Sequence, residues 1–334
     1  MPKPGHSTRI RVGISSCLLG EKVRFDGGHK REPFLTDTLA AHVEWVPVCP
    51  EVEMGLGTPR ETLRLIRLAP AEPLRMVTTR TAIDHTDGMN GWARARLEQL
   101  ARDEPDLCGY VLKKDSPSCG MLRVKTYSGD AMPERNGVGL YASALLRRFP
   151  TLPVEEEGRL SDPRLRENFI ERVYSYRRLK DLFVPGWSLG NLIQFHTAHK
   201  MALLAHSTTR YNEMGRLVAR GKDLAASELR DAYEKSFMAT LAILATTRRH
   251  TNVLTHMMGH LKKLLDADAK RELLDSIEEY RIGVVPLVVP LTLLRHYVRL
   301  HRIDYLAGQI YLDPYPRDLM LRNSTAMSPR GAGQ

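Results

Sequence analysis

Hydrophobic and polar positions follow two different patterns along the 334 residues of the chain. In the first half, short apolar runs rich in β-branched residues alternate with segments of helical periodicity. The runs cover residues 10–14, 43–48, 74–79, 108–112 and 152–154, and the helical segments cover 33–42, 88–103 and 138–149. Strands that alternate with helices predict an α/β fold with an open, mostly parallel, Rossmann-like sheet covered on both faces.

From about residue 160, long helical patterns replace the short apolar runs. They cover residues 163–182, 189–207, 211–221, 225–247, 253–265, 270–282, 289–301 and 305–310. We therefore predict an α/β domain over residues 1–158, an all-α domain over 159–322 and a loose tail over 323–334, rich in Ser, Pro and Gly. The acidic residues before the boundary, Glu155, Glu156 and Glu157, are expected to be solvated.

Composition and charge narrow the class of protein. A hydrophobic fraction of 43% and a charged fraction of 26% exclude the disordered and fibrous classes. The first residues form no apolar run, and two prolines interrupt the longest apolar stretch, 283–294, so we expect a cytoplasmic protein without membrane association.

The net charge of +10 is unevenly distributed. Residues 1–158 contain 22 of the 49 Lys and Arg and 21 of the 39 Asp and Glu, which leaves 27 and 18 for residues 159–334, a net charge of +9. This asymmetry is typical of a neutral domain joined to a polyanion-binding one. A solvated basic surface explains the charge equally well.

Three of the four cysteines follow predicted strands. Cys17 comes after the first run, Cys49 directly after the second, and Cys119 in the loop after the run 108–112. Because the carboxyl ends of parallel strands meet at one crevice, we expect these thiols to converge. Cys108 lies at the opposite end of its strand, about 16–20 Å away at 3.3 Å per residue, and is predicted to be a buried core thiol.

Three thiols in one pocket are compatible with three kinds of site. A structural zinc requires a fourth ligand, for which His29 or His42 is available. A single catalytic cysteine requires a neighbouring base, and the spacing reveals none. A cubane iron–sulfur cluster on three cysteines leaves one iron without a protein ligand, free to act as a Lewis acid. Spacing alone does not decide, since the chain has no CxxC pair.

The residues around the cysteines resemble the signature of a known family. The segments SSCLLG (15–20), RFDG (24–27), PVCPE (47–51) and KKDSPSCG (113–120), with residues 55–60, match the thiouracil desulfurase (TudS) family in order and spacing over about residues 9–155. The resemblance implies a [4Fe-4S] cluster on Cys17, Cys49 and Cys119, and removal of sulfur from thiolated uracils. Cys108 matches no ligand position.

The resemblance leads to a hypothesis of mechanism. The thiocarbonyl sulfur binds the open iron while Glu51, two residues after a ligand, activates the attacking water, and Ser116 orients the water or the ring. Each residue also has a purely structural explanation. Glu51 is an acceptor for an amide at a helix start, and Ser116 is part of a turn. The segment 136–139, which precedes a helix, indicates an anion site.

The second half resembles the helical domain that accompanies this family in desulfidases acting on 4-thiouridine in transfer RNA. The segments RRLK (177–180), 196–200 and IYLDPYP (310–316) carry this resemblance, which implies transfer RNA as the partner. The candidates for phosphate contacts are basic: Lys113, Arg177, Arg178, Lys180, Lys200, Lys262 and Lys263.

Three other functions agree with the sequence. The first is the same chemistry on free thiouracil or thionucleosides, with the helical domain used for oligomerisation. The second is a cluster-bearing redox sensor that binds nucleic acid, and the third is a zinc-stabilised binding module. Activity on thiolated transfer RNA that falls steeply with salt would favour the RNA substrate, because phosphate contacts release counterions. The sequence does not predict the oligomeric state.

Overall fold

A computed structural model of the protein describes residues 9–69, 71–129 and 131–324. The chain divides into two units, Met1–Asp162 and Pro163–Gln334, whereas the sequence indicated a boundary after residue 158. Most of the predicted tail, residues 325–334, lies outside the described residues. None of the described helices is long and apolar enough to cross a membrane.

The described part of the first unit contains eight strands in two sheets. They are β1 (Ile10–Ser15), β2 (Val43–Val48), β3 (Leu63–Ile66), β4 (Arg75–Thr78), β5 (Leu107–Leu112), β6 (Val124–Tyr127), β7 (Glu134–Gly137) and β8 (Val154–Glu156). The first sheet has the order β2-β1-β5-β8, and every neighbouring pair in it is parallel. The predicted α/β fold with a parallel sheet is therefore confirmed.

The two central strands of this sheet are buried along nearly their whole length. Parallel strands covered on both faces appear in sequence as continuous apolar runs, which is why β1 and β5 were predictable. Gly13 of β1 lies opposite Tyr110 of β5. A Cβ atom at Gly13 would lie 2.2 Å from the tyrosine ring, so a larger residue there would push the two strands apart.

The second sheet differs from the prediction. It has the order β4-β3-β6-β7, with β4 antiparallel to β3 and β7 antiparallel to β6. The predicted strand 74–79 exists as β4, but its assignment to the parallel sheet was wrong. The sequence analysis missed β3, β6 and β7. Three of the four residues of β7 are exposed, so this strand contains no apolar run.

The helices of the first unit are α1 (Pro50–Glu53), α2 (Thr86–Asp103) and α3 (Leu140–Arg148). The predicted helical segments 88–103 and 138–149 correspond to α2 and α3. The predicted helix 33–42 is instead a π-helical turn, Phe34–Thr38, followed by a 3₁₀ turn, Leu39–Ala41. The apolar periodicity of so short a segment does not distinguish these tighter and wider turns from an α-helix.

The second unit is helical throughout its described residues. Its helices are α4 (Pro163–Leu182), α5 (Leu189–Ala198), α6 (Lys200–His206), α7 (Thr208–Ala219), α8 (Ala226–Leu241), α9 (Thr247–Leu261), α10 (Ala267–Ile282), α11 (Val288–Leu300) and α12 (Asp304–Ala307). The predicted helix 189–207 is divided at His199, whose Nδ1 lies 2.8 Å from the Phe195 carbonyl oxygen. The predicted helix 225–247 ends early because Thr246 caps α9 by accepting a hydrogen bond from the Arg249 amide.

The core of the second unit contains an acid–base pair. Apolar side chains of α6, α9, α10 and α11 pack around Leu254 and Leu291. Nearby, the buried Nε2 of His206 lies 3.3 Å from the buried carboxylate of Glu171. Burial alone would raise the pKa of Glu171, but His206 lowers that pKa to about 2. Burial alone would lower the pKa of His206, but Glu171 outweighs it and raises this pKa.

Candidate functional site

Three cysteines line one cavity of about 300 Å³ at the carboxyl edge of the first sheet. Cys17 lies in a 3₁₀ turn after β1, Cys49 lies between β2 and α1, and Cys119 lies in the loop after β5. Their convergence follows from the strand order, because β1 lies between β2 and β5. Cys108 does not line this cavity. It is fully buried, with its sulfur 3.1 Å from the carbonyl oxygen of Asp106.

Burial keeps the three thiols protonated in the protein without a metal. It raises the pKa of Cys17 to about 11, against the opposing charge of Lys113. Burial also raises the pKa of Cys49, although the Val52 amide at the start of α1 acts in the opposite direction. The pKa of the fully buried Cys119 is raised as well, against hydrogen bonds from Ser15 and Ser118. A metal that binds these thiols must therefore displace protons, as metals do from coordinating thiols.

The loop that carries Cys119 is held by its own serine. The Ser116 hydroxyl oxygen accepts hydrogen bonds from the backbone amides of Ser118, at 3.3 Å, and of Cys119, at 3.1 Å. The Gly120 amide donates to the Ser116 carbonyl at 2.8 Å. Ser116 thus forms the turn that was its structural explanation. It also lies 3.4 Å from a carboxylate oxygen of Glu51, which keeps the proposed catalytic contact possible.

The start of α3 packs against the same loop. The amides of Leu140 and Ala142 donate to the carbonyl oxygens of Pro117 and Ser118, at 3.1 and 3.0 Å. A Cβ atom at Gly139 would lie 2.4 Å from the Ser118 carbonyl oxygen, so glycine is required for this close approach. The anion site expected at residues 136–139 was therefore wrong, since loop carbonyls occupy these amides.

Glu51 is the centre of a hydrogen-bond network on one wall of the cavity. Its Oε2 accepts from Nη2 and Nε of Arg60, at 2.6 and 2.9 Å. Its Oε1 accepts from the Ser118 hydroxyl at 2.6 Å. The helix-capping role that was the alternative for Glu51 belongs to Glu53, whose carboxylate accepts from the Cys49 amide at 2.9 Å. The carboxylate of Glu51 therefore faces the cavity instead of capping α1.

Sequence reasoning did not single out two members of this network, Arg60 and Ser118. Arg60 is only 7% exposed, and its Nη1 also donates to the carbonyl oxygens of Val23 and Gly57, each at 2.9 Å. Ser118 is 1% exposed. Both lie within the quoted segments, so the signal was an arginine and a second serine beside a ligand, without spacing that pairs them with Glu51.

Lys113 also lines the cavity, but its amino group is engaged. It lies 2.7 Å from the carboxylate of Glu157, and the other oxygen of that carboxylate accepts from the Lys114 amide at 2.7 Å. Glu155, Glu156 and Glu157 are 4%, 5% and 7% exposed, so the expectation that they are solvated was wrong. They are buried because each carboxylate binds backbone amides or a cation.

The candidates for phosphate contacts in the second unit have different surroundings. Arg177, Arg178, Lys180 and Lys200 are half-buried, whereas Lys262 and Lys263 are exposed. Arg177 pairs with Asp181 at 2.9 Å. Arg178 donates to the Pro314 carbonyl oxygen, and burial lowers its pKa. Arg178 is therefore largely part of the fold of this unit, and the two exposed lysines are the most accessible members of the set.

The arrangement of donors is relevant to the kind of metal centre. Within the described ranges, no group of three or more His, Cys, Asp or Glu side chains is placed to hold a single metal ion. His29 and His42 do not line the cavity. Ligands of one zinc ion lie within twice the Zn–S bond, about 4.6 Å, whereas cysteines on different irons of a cluster lie farther apart. The geometry gives the zinc alternative no support.

Comparisons with known proteins identify the first unit. The family model described as 2-thiouracil desulfurase matches residues 12–157. The chain shares 31% identity with the solved structure of the [4Fe-4S]-dependent thiouracil desulfidase TudS, over 46% of this chain and 95% of that one, with a TM-score of 0.37. The chain belongs to the 2-thiouracil desulfurase family. The resemblance drawn from the segments around the cysteines is thereby confirmed.

Further similarities concern both parts of the chain. A family of unknown function, DUF1722, matches residues 200–316, so the two-domain arrangement is also confirmed. Protein YbgA of Escherichia coli (strain K12) is 32% identical over 165 residues, which cover 48% of this chain and 96% of YbgA. Protein YbbK of Bacillus subtilis (strain 168) is 28% identical over 135 residues, which cover 40% of this chain and 87% of YbbK.

Proposed function

We propose that the protein is an iron–sulfur-dependent desulfidase that converts 4-thiouridine in transfer RNA to uridine and sulfide. The observation that carries the proposal is the cavity at the carboxyl edge of the first sheet. Cys17, Cys49 and Cys119 line it together with the Glu51 carboxylate. Membership of the 2-thiouracil desulfurase family supports the reaction class, and the charge of the second half supports the RNA substrate.

The residues present fit a [4Fe-4S] cluster. Three thiol donors from separate strand ends share one cavity, and soft thiolate ligands suit iron–sulfur clusters. Hydrogen bonds near the sulfurs, from the Ser118 hydroxyl to Cys119 and from the amides at the start of α1 to Cys49, stabilise charge on these ligands. When bound, the cluster would supply an iron without a protein ligand, a Lewis acid that favours soft thiocarbonyl sulfur over oxygen.

Glu51 is the residue that moves the proton. Its carboxylate accepts a proton from the attacking water as the water oxygen bonds to the ring carbon. The carbon–sulfur bond then breaks, the electron pair leaves with sulfur as sulfide, and the ring carbon keeps the new oxygen. No oxidant or reductant is consumed. The ion pair with Arg60 fixes the carboxylate, and the hydroxyls of Ser116 and Ser118 lie beside its second oxygen.

The RNA substrate rests on charge and on the second unit. Residues 159–334 carry 27 basic and 18 acidic side chains, and the exposed Lys262 and Lys263 belong to this excess. A base within RNA must leave its stack to enter a cavity of this size, which costs a few kcal/mol that pocket contacts and phosphate contacts offset.

One observation favours a second candidate, desulfuration of free thiouracil or its nucleosides. The neighbour named as a thiouracil desulfidase matches 95% of its own length with only 46% of this chain. The part of the chain that it does not match would then serve another purpose, such as association between copies.

The test is anaerobic reconstitution followed by iron, sulfide and sulfide-release measurements on thiolated transfer RNA and on free 4-thiouracil. We expect loss of iron in Cys17→Ala, Cys49→Ala and Cys119→Ala, and wild-type iron in the control Cys108→Ala, because Cys108 does not line the cavity. Full iron retention in the three single variants, or the absence of iron from the wild type, would refute the ligand assignment. Equal efficiency on both substrates at all salt concentrations would favour the free base.

A further inference from the structure

A second cavity, of about 360 Å³, adjoins the catalytic one in the first unit. Lys114 and Asp115 line both cavities, so the two are neighbours along the loop that leads to Cys119. Its wall combines charged residues with one exposed apolar side chain: Lys114, Asp115, Leu122, Arg123, Arg135, Glu156 and Arg159. We refer to it as the basic cavity.

The charges of the basic cavity are unbalanced. Four cations face two carboxylates, and the carboxylate of Glu156 is buried because it accepts the backbone amides of Met121 and Leu122, at 2.7 and 3.1 Å. Asp115 balances only Arg135, at 3.2 Å, in an ion pair about half exposed on both sides. Exposed pairs of this kind are weak and exchange readily with another anion.

Arg123 is the least engaged of the four cations. Its side chain is exposed and forms no ion pair or hydrogen bond within the part of the chain that the structure describes. Its backbone adopts a φ of 57°, a left-handed conformation that non-glycine residues seldom adopt. The residue before it, Leu122, is 42% exposed and gives the cavity an apolar wall.

We propose that the basic cavity binds phosphate groups next to the thiolated base in the substrate. The inference rests on the proposed function and deepens it, because free thiouracil has no phosphate and would leave this cavity unused. Arginine forks match phosphate oxygens in pairs, and Leu122 offers a surface for a sugar or a neighbouring base. Contacts here would fix the register of the strand while the thiolated base enters the cavity beside Cys119.

The test uses the reconstituted full-length protein and the double variant Arg123→Gln/Arg135→Gln. The matched control is Arg94→Gln, which removes an exposed arginine of the same unit that lines neither cavity. Binding of a fluorescent single-stranded RNA that contains 4-thiouridine is measured between 50 and 200 mM salt. Sulfide release is measured on that RNA, on 4-thiouridine 5′-monophosphate and on free 4-thiouracil.

Two lost phosphate contacts should reduce the salt slope of binding by about 1.4, at roughly 0.7 per single-strand contact. The wild type would then lose about sevenfold more affinity than the double variant over this fourfold salt range. Free 4-thiouracil should be processed equally by all three proteins. A defect on the monophosphate as well as the RNA places the substrate's own phosphate in the cavity, and a defect on the RNA alone places neighbouring phosphates there.

An unchanged salt slope in the double variant overturns the inference. So does a loss of binding to an acidic peptide as large as the loss of binding to RNA, because this would identify a general anion surface. The failure of the proposed function is distinguishable, since it appears as no sulfide release by the wild type from any substrate. The binding comparison does not depend on turnover and still reports on the basic cavity.

Discussion

The ion pair between Glu51 and Arg60 allows a catalytic role to be separated from a structural one. Glu51→Gln removes the carboxylate but preserves its size, and Arg60→Gln removes its cation but leaves the carboxylate in place. If Glu51 only tethers the loops, both variants break the same contact and should lose activity together. If Glu51 is the general base, stability and activity should rank the two variants in opposite orders.

The magnitudes follow from the burial of the pair. Glu51 and Arg60 are 14% and 7% exposed, so Arg60→Gln leaves a nearly buried carboxylate without its cation and should destabilise by about 3–5 kcal/mol. Glu51→Gln keeps one acceptor oxygen, and Arg60 keeps the carbonyl oxygens of Val23 and Gly57, so a loss of about 1.5–3 kcal/mol is expected. The lost base should slow turnover by about 10²–10⁴-fold, or about 2.7–5.4 kcal/mol in the barrier.

The assay combines three measurements on anaerobically reconstituted protein: iron content, urea unfolding and sulfide release under single-turnover conditions. We expect full iron in both variants, the lower unfolding free energy in Arg60→Gln, and the lower rate in Glu51→Gln. Equal rate losses would assign Glu51 a positioning role only. A Glu51→Gln variant that retains more than about a tenth of the wild-type rate would refute general-base catalysis by this residue.

Two further predictions concern the loop and the second unit. Gly139→Ala should reduce iron retention and stability, because its Cβ would lie 2.4 Å from the Ser118 carbonyl oxygen, and iron analysis beside thermal unfolding checks this. The ion pair of Glu171 and His206 should stabilise the fold most between pH 4.5 and 6.5. The lowered pKa of Glu171 loses its contribution as pH falls towards about 2, and the raised pKa of His206 loses its contribution above pH 6.5. His206→Ala should cost about 3–5 kcal/mol and flatten the pH profile of unfolding.

The ligand positions were predictable because strand periodicity determines them. β1 and β5 are buried on both faces, so their apolar runs show where each strand ends. A cysteine at the end of a parallel strand must lie at the carboxyl edge of the sheet, whatever the details of the loop. The same reasoning separated Cys108 from the other three, since it lies near the opposite end of β5.

The second sheet and the acidic run were not predictable by the same means. β7 has the sequence ERNG and pairs only through its backbone, so no side-chain pattern marks it. The run Glu155–Glu157 resembles a solvated segment in sequence, but the chain turns these carboxylates towards the amides of Met121, Leu122 and Lys114. Such partners lie more than thirty residues away, where local patterns carry no information.

The partners of Glu51 show why the chemistry was harder to predict than the ligands. Arg60 and Ser118 reach the carboxylate from two loops, and the angle at which each loop leaves its strand is not encoded in any local period. The same loop supplies the thiol of Cys119 and the hydroxyl of Ser118 that contacts Glu51. Ligand geometry and the orientation of the base are therefore mechanically linked through this loop, whereas Arg60 contacts the base without contacting a ligand-bearing turn. The arginine is thus the point at which the orientation of the base can be changed while the ligand set stays intact.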